Sequence, residues 1–259
     1  MNQSVIKALT LLNLFTEETP EMTLKEITIK SGLPKPTAYR LLTTLERLDY
    51  LYKSKENEHD SRYRLGLKLL ELGQLVSDQL EVRGIALPVM EKLGKELNEV
   101  VHLVIVYQNR ATYIEKVDST RPLRLNTRVG KSTSLYIGSG PKLLLAHLPL
   151  KKQKEIIEDE PLKPYKNNKQ ITTEDLWKEL LHIQHVGYSF SVGEQDLDTT
   201  GISYPIYNYQ NKVSAALTVS GLSRYFEGEH LTHIKDKTKQ AALDISRELG
   251  YQLMESQLR

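Results

Sequence analysis

Near the start of the chain, Val5, Ala8, Leu9, Leu11, Leu12 and Phe15 recur at helical spacing. That period predicts an amphipathic helix over Ser4–Glu17, with Ser4 as its N-cap. Thr23-Leu24-Lys25-Glu26-Ile27 opens a second, shorter helix, Ser31-Gly32-Leu33-Pro34 breaks it, and a third starts at Pro36 and runs to about Leu48. Pro36 suits a first helical turn, where its missing N–H costs nothing. In the third helix, Ala38, Leu41, Leu42, Leu45 and Leu48 form an apolar stripe expected to face a core. The opposite face carries Thr37, Arg40, Thr44 and Arg47, flanked by Lys35, Tyr39 and Thr43. Tyr50-Leu51-Tyr52-Lys53 and Tyr63-Arg64-Leu65 are strand-like, with a polar loop between them. Met22 to Gly66 is therefore a helix-turn-helix followed by a two-stranded wing, the unit that lays its second helix in a DNA major groove.

Leu67 to Val82 is a further helix, with Leu67, Leu69, Leu70, Leu72, Leu75, Val76 and Leu80 spread over more than one side. That is more apolar surface than a linker needs, and it is suited to packing against a second copy. Gly84 is taken as the boundary beyond which the pattern becomes α/β. A helix covers Ala86–Leu97, and strands cover Val100–Val106 and Ala111–Val117 around the turn Gln108-Asn109-Arg110. Gly138-Ser139-Gly140-Pro141 precedes a helix over Lys142–Leu148, and further helices cover Lys151–Glu158 and Thr173–His185. Strands follow at Gly187–Val192, Ile202–Tyr207 and Val213–Ser220, and Glu229–Gly250 is a closing helix. Pro161 to Gln170 is a surface loop. The expected organisation is a DNA-binding domain over 1–66, a linker helix over 67–83, and an effector-binding and oligomerisation domain over 84–259.

Composition narrows the classes. At 259 residues the chain is long enough for two domains, and 39% hydrophobic with 26% charged residues is ordinary for a globular protein. With no cysteine, disulfides, thiolate metal sites and a cysteine nucleophile are excluded. The N-terminus lacks the layout of a signal peptide and no apolar run reaches the length of a membrane span, so the expected location is the cytoplasm, with no membrane partner. Net charge is only +2, and the acids and bases of the first eighty residues are equal in number. DNA binding must then rest on where charges sit, not on an overall basic balance.

On the third helix, Arg40 is the foremost candidate for a base contact, since its fork can bind guanine O6 and N7 together. Lys35, Pro36, Thr37, Tyr39, Thr43, Thr44 and Arg47 share or flank that face. Lys55 and Arg62 on the wing are candidates for phosphate contacts, which position without specifying. Gly138-Ser139-Gly140 ahead of a helix offers backbone N–H groups and a positive dipole end, a ready anion site; a tight turn needing glycine is the plainer alternative. Ser139 lacks the Gly-x-Ser-x-Gly nucleophile pattern and its His and Asp partners. His182 with His185, and His230 with His233, sit three apart on helices without a clear third ligand, so surface histidines are favoured over a metal site. Trp177 is a packing residue, and Glu158-Asp159-Glu160 a solvated helix end. No metal, cofactor or catalytic residue is expected.

The chain resembles the IclR-type bacterial transcriptional regulators. The resemblance is carried, in family order, by Ser31 to Leu42, Tyr63 to Gly66, Arg128-Val129-Gly130, Gly138 to Ala146, Gly187-Tyr188, Gly193-Glu194, Pro205-Ile206 and Ala215 to Gly221. It implies an α+β, two-domain protein: an N-terminal winged helix-turn-helix, a linker helix, and a C-terminal GAF-like α/β effector-binding domain. Carried over by position, it implies a ligand pocket using Ser139, Gly140, Ser191, Glu194, Gly201, Thr218 and Ser220, with Leu125 as an apolar wall. The sequence departs from the family pattern at Tyr136-Ile137, where many members have His-Cys, and at Leu197-Asp198, where many have Pro-Gly.

The expected function is a ligand-responsive repressor. It would act as a homodimer or tetramer on a double-stranded operator, released or engaged by a small organic acid. The rivals are an enzyme that turns over the ligand and a protein-binding adaptor that has lost DNA affinity.

Overall fold

The computed structural model describes residues 2–16, 18–57, 60–78, 81–121, 127–159, 161–167 and 169–252. The chain forms two compact units, Met1–Gln79 and Leu80–Arg259.

In the first unit, helix α1 spans Gln3–Leu12 and its N-cap is Asn2, not Ser4. The Asn2 Oδ1 accepts from the backbone N–H groups of Ser4 (3.1 Å) and Val5 (3.4 Å), which places Ser4 inside the first turn. The helix stops well before Glu17, because Leu14 and Phe15 turn back with short-range backbone bonds to Leu11 and Leu12. A strand that the sequence pattern did not show, β1 (Glu21–Thr23), then pairs with the wing. Helix α2 (Leu24–Ser31) is opened by a capping box. The Glu26 carboxylate accepts from Thr23 N–H at 2.7 Å, and Thr23 Oγ1 accepts from Glu26 N–H at 3.3 Å. Gly32, at φ +67°, closes it in the left-handed conformation.

Helix α3 (Lys35–Arg47) follows after Pro34. Strands β2 (Leu51–Asn57) and β3 (Asp60–Leu65) complete an antiparallel sheet of order β1-β3-β2. Leu11, Met22, Ile27, Leu42, Leu51 and Tyr63 form its core, each almost fully buried. Gly66 is required where the wing passes the end of α3, because a Cβ there would sit 2.0 Å from the Asp49 carbonyl oxygen. Helix α4 covers Leu67–Asp78.

The second unit begins with helix α5 (Glu81–Leu97). Gly84 lies inside this helix and marks no boundary. Strands β4 (Val100–Tyr107) and β5 (Arg110–Val117) form a hairpin whose turn holds Gln108 and Asn109 at positive φ, the demand of a type I′ turn. A short strand β6 (Ser132–Thr133) was not foreseen. Helix α6 starts at Ser139, three residues earlier than expected, and runs to His147. Gly138 caps it at φ +95°, and Pro141 falls in the first turn.

Helices α7 (Leu150–Asp159) and α8 (Thr173–Val186) follow, then strands β7 (Ser189–Val192), β8 (Thr199–Tyr207) and β9 (Val213–Leu222), and helix α9 (Gly228–Glu248). Gly187, at φ +76°, ends α8, so β7 starts later than the pattern implied. Tyr165, assigned to a surface loop, is buried against α6.

All pairings in the six-stranded sheet are antiparallel, in the order β6-β5-β4-β9-β8-β7. One face is covered by α5 and α9 through Met90, Leu93, Ile234, Ala242 and Ile245. The other is covered by α6, α7 and α8 through Leu143, Leu145, Ile157, Leu176 and Leu180. The result is the layered α/β arrangement of a GAF-like domain.

Candidate functional site

On α3 the apolar stripe is buried at Ala38, Leu41, Leu42 and Leu45. Leu48 does not join it: it is 55% exposed just past the helix end, where the chain leaves helical geometry. On the outward side Lys35, Pro36, Tyr39, Arg40, Thr44 and Arg47 are exposed, and Thr37 and Thr43 half-buried. The Thr44 hydroxyl donates back to the Arg40 carbonyl at 3.0 Å, so it is engaged within the helix. Arg62 sits half-buried on β3 opposite Ser54 and Thr23, and Lys55 lies on β2 opposite Ser61, its side chain outside the described residues.

Lys53 was not among the sequence candidates. Its ammonium lies 5.9 Å from the Tyr39 ring centre and 5.6 Å from that of Tyr63. The wing therefore sets a cation beside the exposed helix face, a placement that only the β2 register reveals.

The second constellation lies on the sheet face beneath α6. Two rungs cross the strands: Ser191, Gly201 and Ser220 on one, and Ser189, Ser203, Thr218 and His102 on the next. Because alternate strand residues share a face, these polar side chains gather on the α6 side, while Leu217 and Val219 point into the opposite core. Gly201 leaves the space between them. A Cβ there would meet the hydroxyls of Ser139 (2.8 Å), Ser220 (3.2 Å) and Ser191 (3.3 Å). The Ser203 hydroxyl donates to Ser139 at 2.8 Å and shares a 2.7 Å bond with Thr218.

A cavity of about 30 Å³ lies here, room for little more than a water molecule or two. Ser139, Gly140, Ser191, Glu194, Gly201, Thr218 and Ser220 all line it; Leu125 falls outside the described residues.

Sequence reasoning missed His102, Tyr113, Thr127 and Gln195 in the same lining. Thr127 Oγ1 and His102 Nε2 are 2.6 Å apart, and the imidazole packs edge-on to Tyr113. Burial pushes the His102 pKa down to about 3, so the ring is neutral, and among the described residues its buried Nδ1 has no partner. Tyr113 donates to Gln195, which in turn donates to the Ile137 carbonyl; burial lifts the phenol's pKa to about 12.

The start of α6 is not the open anion site that its glycines suggested. Gly138 N–H donates to the Glu194 Oε2 at 2.8 Å and Ser139 N–H to the Ser191 hydroxyl at 3.0 Å. A carboxylate of the protein itself already occupies the positive helix end. The other Glu194 oxygen accepts from the Lys142 ammonium at 2.6 Å, and that ammonium, fully buried, also bonds Glu179 on α8. Burial raises the Glu194 pKa, opposed by Lys142 and by the Gly138 N–H. Among the described residues no group of three His, Cys, Asp or Glu is placed to hold a metal ion, and no helix is long and apolar enough to cross a membrane.

An exposed helix-turn-helix with a wing, followed by a GAF-like domain with a polar pocket, defines a DNA-binding regulator with a sensing domain. Family comparison agrees. The profile of the bacterial transcriptional regulator IclR C-terminal domain matches residues 74–247, and that of the IclR helix-turn-helix domain matches residues 4–55. The chain is 35% identical to the HTH-type transcriptional regulator KipR of Bacillus subtilis, covering 96% of this chain and 98% of that one. It is 28% identical to the HTH-type transcriptional regulator XynR of Escherichia coli over the same shares. The crystal structure of the Thermotoga maritima IclR superposes with a TM-score of 0.81 at 28% identity, covering 97% of this chain and all of that one. The chain belongs to the IclR family of bacterial transcriptional regulators.

Proposed function

We propose that the outward face of α3 reads an operator in the major groove and that a small molecule in the pocket beneath α6 controls that binding, with repression as the default state. The observation that carries this is the exposure of Arg40, Tyr39, Lys35 and Arg47 on one side of a helix whose other side is wholly buried. Arg40 specifies a base; Lys35, Thr37, Arg47, Lys53, Lys55 and Arg62 hold phosphates. The protein works in the cytoplasm. Fluorescence anisotropy on an operator selected from random duplex DNA tests the reading. Arg40→Ala costs ~1–3 kcal/mol and relaxes preference at one base position. Unchanged affinity and preference would refute the assignment, and a flat response to salt would favour the adaptor alternative.

The protein acts as a dimer or tetramer, because one recognition helix spans too few base pairs to select a site. Supporting this, Leu48, Tyr52, Leu65, Leu67 and Leu70 form an exposed apolar patch around one groove of the N-terminal unit, with Leu67 81% and Leu70 70% exposed. A patch of that kind is suited to a second copy.

The effector is a small organic acid that also carries hydrogen-bond donors, and the pocket, about 30 Å³ as it stands, widens to admit it. Hydroxyls of Ser139, Thr218 and Ser220 accommodate its carboxylate, and Glu194 and Asp196 accept from its hydroxyl or amino groups. The domain senses this molecule and does not turn it over, a reading supported by relatives named as transcriptional regulators and repressors. Thermal shift against a panel of short hydroxy and amino acids should find a stabilising compound whose effect is lost in Ser139→Leu. Binding undiminished in that variant would move the pocket elsewhere.

A further inference from the structure

We propose that the cleft between α8, β7 and α9 is a second ligand site, fitted to a small amphipathic carboxylate and linked to the pocket beneath α6 through Lys142. The cleft has a volume of about 270 Å³, against about 30 Å³ for the first pocket. Its floor is apolar: Ile183 and Val186 from α8, Phe190 from the edge strand, and Leu231 from α9. At one side stands Lys235, one turn from Leu231. Its ammonium lies 3.0 Å from the Tyr188 hydroxyl and 4.6 Å from that ring's centre, and among the described residues it meets no carboxylate.

A half-buried ammonium held by an aromatic ring and a phenol, over an apolar floor, lacks a counter-ion. A ligand carboxylate supplies one while its hydrocarbon body fills the cleft. Glu179 also lines the cleft, but its carboxylate is already bound to Lys142 and does not neutralise Lys235. The first pocket has the opposite character, with Glu194 and Asp196 in its wall and, among the described residues, no lysine or arginine. The two cavities therefore select different molecules.

The link is a chain of contacts. Glu179 in the cleft bonds the Lys142 ammonium, which bonds Glu194 Oε1 at 2.6 Å, and Glu194 Oε2 accepts from the Gly138 N–H at the start of α6. One buried cation is shared between a carboxylate in each cavity. A ligand that moves Glu179 changes the hold of Lys142 on Glu194 and thus the first pocket.

The test uses the full chain with labelled methyl groups and phenylacetate as the probe, followed by NMR. Saturable shifts are expected at the methyls of Ile183, Val186 and Leu231. Lys235→Met should weaken binding about tenfold or more, Lys235→Arg should retain it, and Leu231→Trp should abolish it. The neutral phenylacetamide should bind as weakly to the native protein as phenylacetate does to Lys235→Met. The Gly138 amide should shift with phenylacetate in the native protein and stay still in Glu179→Gln. Absence of methyl shifts, or binding undiminished in Lys235→Met, overturns the site; a silent Gly138 in the native protein overturns the link.

Discussion

Glu99 precedes β4, and its replacement by glutamine should stabilise the C-terminal unit at alkaline pH while doing little in acid. Its carboxylate is 1% exposed, and among the described residues neither oxygen has a hydrogen-bond partner. Arg121 Nε lies 3.3 Å away, but it donates to the Asn98 carbonyl and its guanidinium stacks 3.7 Å from the Tyr225 ring centre. Gly221, next to the pocket residue Ser220, must lack a side chain because a Cβ there would lie 2.1 Å from Glu99 Oε2. Burial raises the Glu99 pKa from 4.5 to about 7, only partly opposed by Arg121.

A carboxyl that holds its proton more tightly when folded favours folding below its unfolded pKa. That contribution fades as pH rises from 4.5 and is gone above about 7. At about 1.4 kcal/mol per pH unit, ionisation costs the folded state up to about 3 kcal/mol at pH 8. Glu99→Gln removes that cost, so its advantage over the native chain should approach about 3 kcal/mol at pH 8 and shrink below about 1 kcal/mol at pH 5. Trp177, the single tryptophan, packs in the C-terminal unit and reports its urea unfolding by fluorescence. An advantage that is the same at both pH values, or a destabilised variant at pH 8, would refute the reasoning.

Other changes follow from the same geometry. Gly201→Ala forces a methyl against three hydroxyls and should cost about 1–3 kcal/mol by the Trp177 fluorescence transition, while abolishing the effector's thermal shift; a stable variant that still binds would show that the hydroxyl cluster is not the site. Leu70→Glu places a charge in the exposed apolar patch and should lower the molar mass measured by light scattering, with operator affinity falling alongside; an unchanged mass puts the subunit contact elsewhere. Thr23→Ala removes the side-chain half of the α2 capping box, leaving the Thr23 N–H on Glu26, and should cost about 1 kcal/mol in the N-terminal unit, read by chemical denaturation under circular dichroism.

Long periodic segments were legible from the residues alone. The stripe of α3 and the hairpin of β4 and β5 each follow from a period that one surface must satisfy, whereas Thr218 and Ser220 came from the family resemblance. What escaped lacks a period or depends on distant partners. Strand β1 has three residues and one buried side chain, Met22, so no alternation can show it. His102 sits in an apolar strand and gains meaning only when the fold brings Thr127 and Tyr113 to it. The glycines at 138 and 140 were read as an anion cradle; the residue that fills it, Glu194, comes from the far side of α7 and α8. Leu48 continues the stripe by spacing, yet the helix ends before it, and it faces solvent beside Leu65 and Leu67.

Lys142 raises a sharper question, because burying an ammonium is costly and an apolar residue of similar volume would often fill such a space at no loss of stability. A fully buried lysine shared by two carboxylates is weak evidence for stability, so its value lies in what it organises. It opposes the burial that raises the Glu194 pKa, and the Glu194 carboxyl accepts from the Gly138 N–H at the start of α6. With Lys142 replaced by methionine, the main opposition to that rise would be lost and the Glu194 pKa would climb further. On the proposal that this pocket binds the effector, the lysine and its carboxylates disfavour simple anions at that helix end and favour molecules that satisfy hydroxyls and carboxylates together.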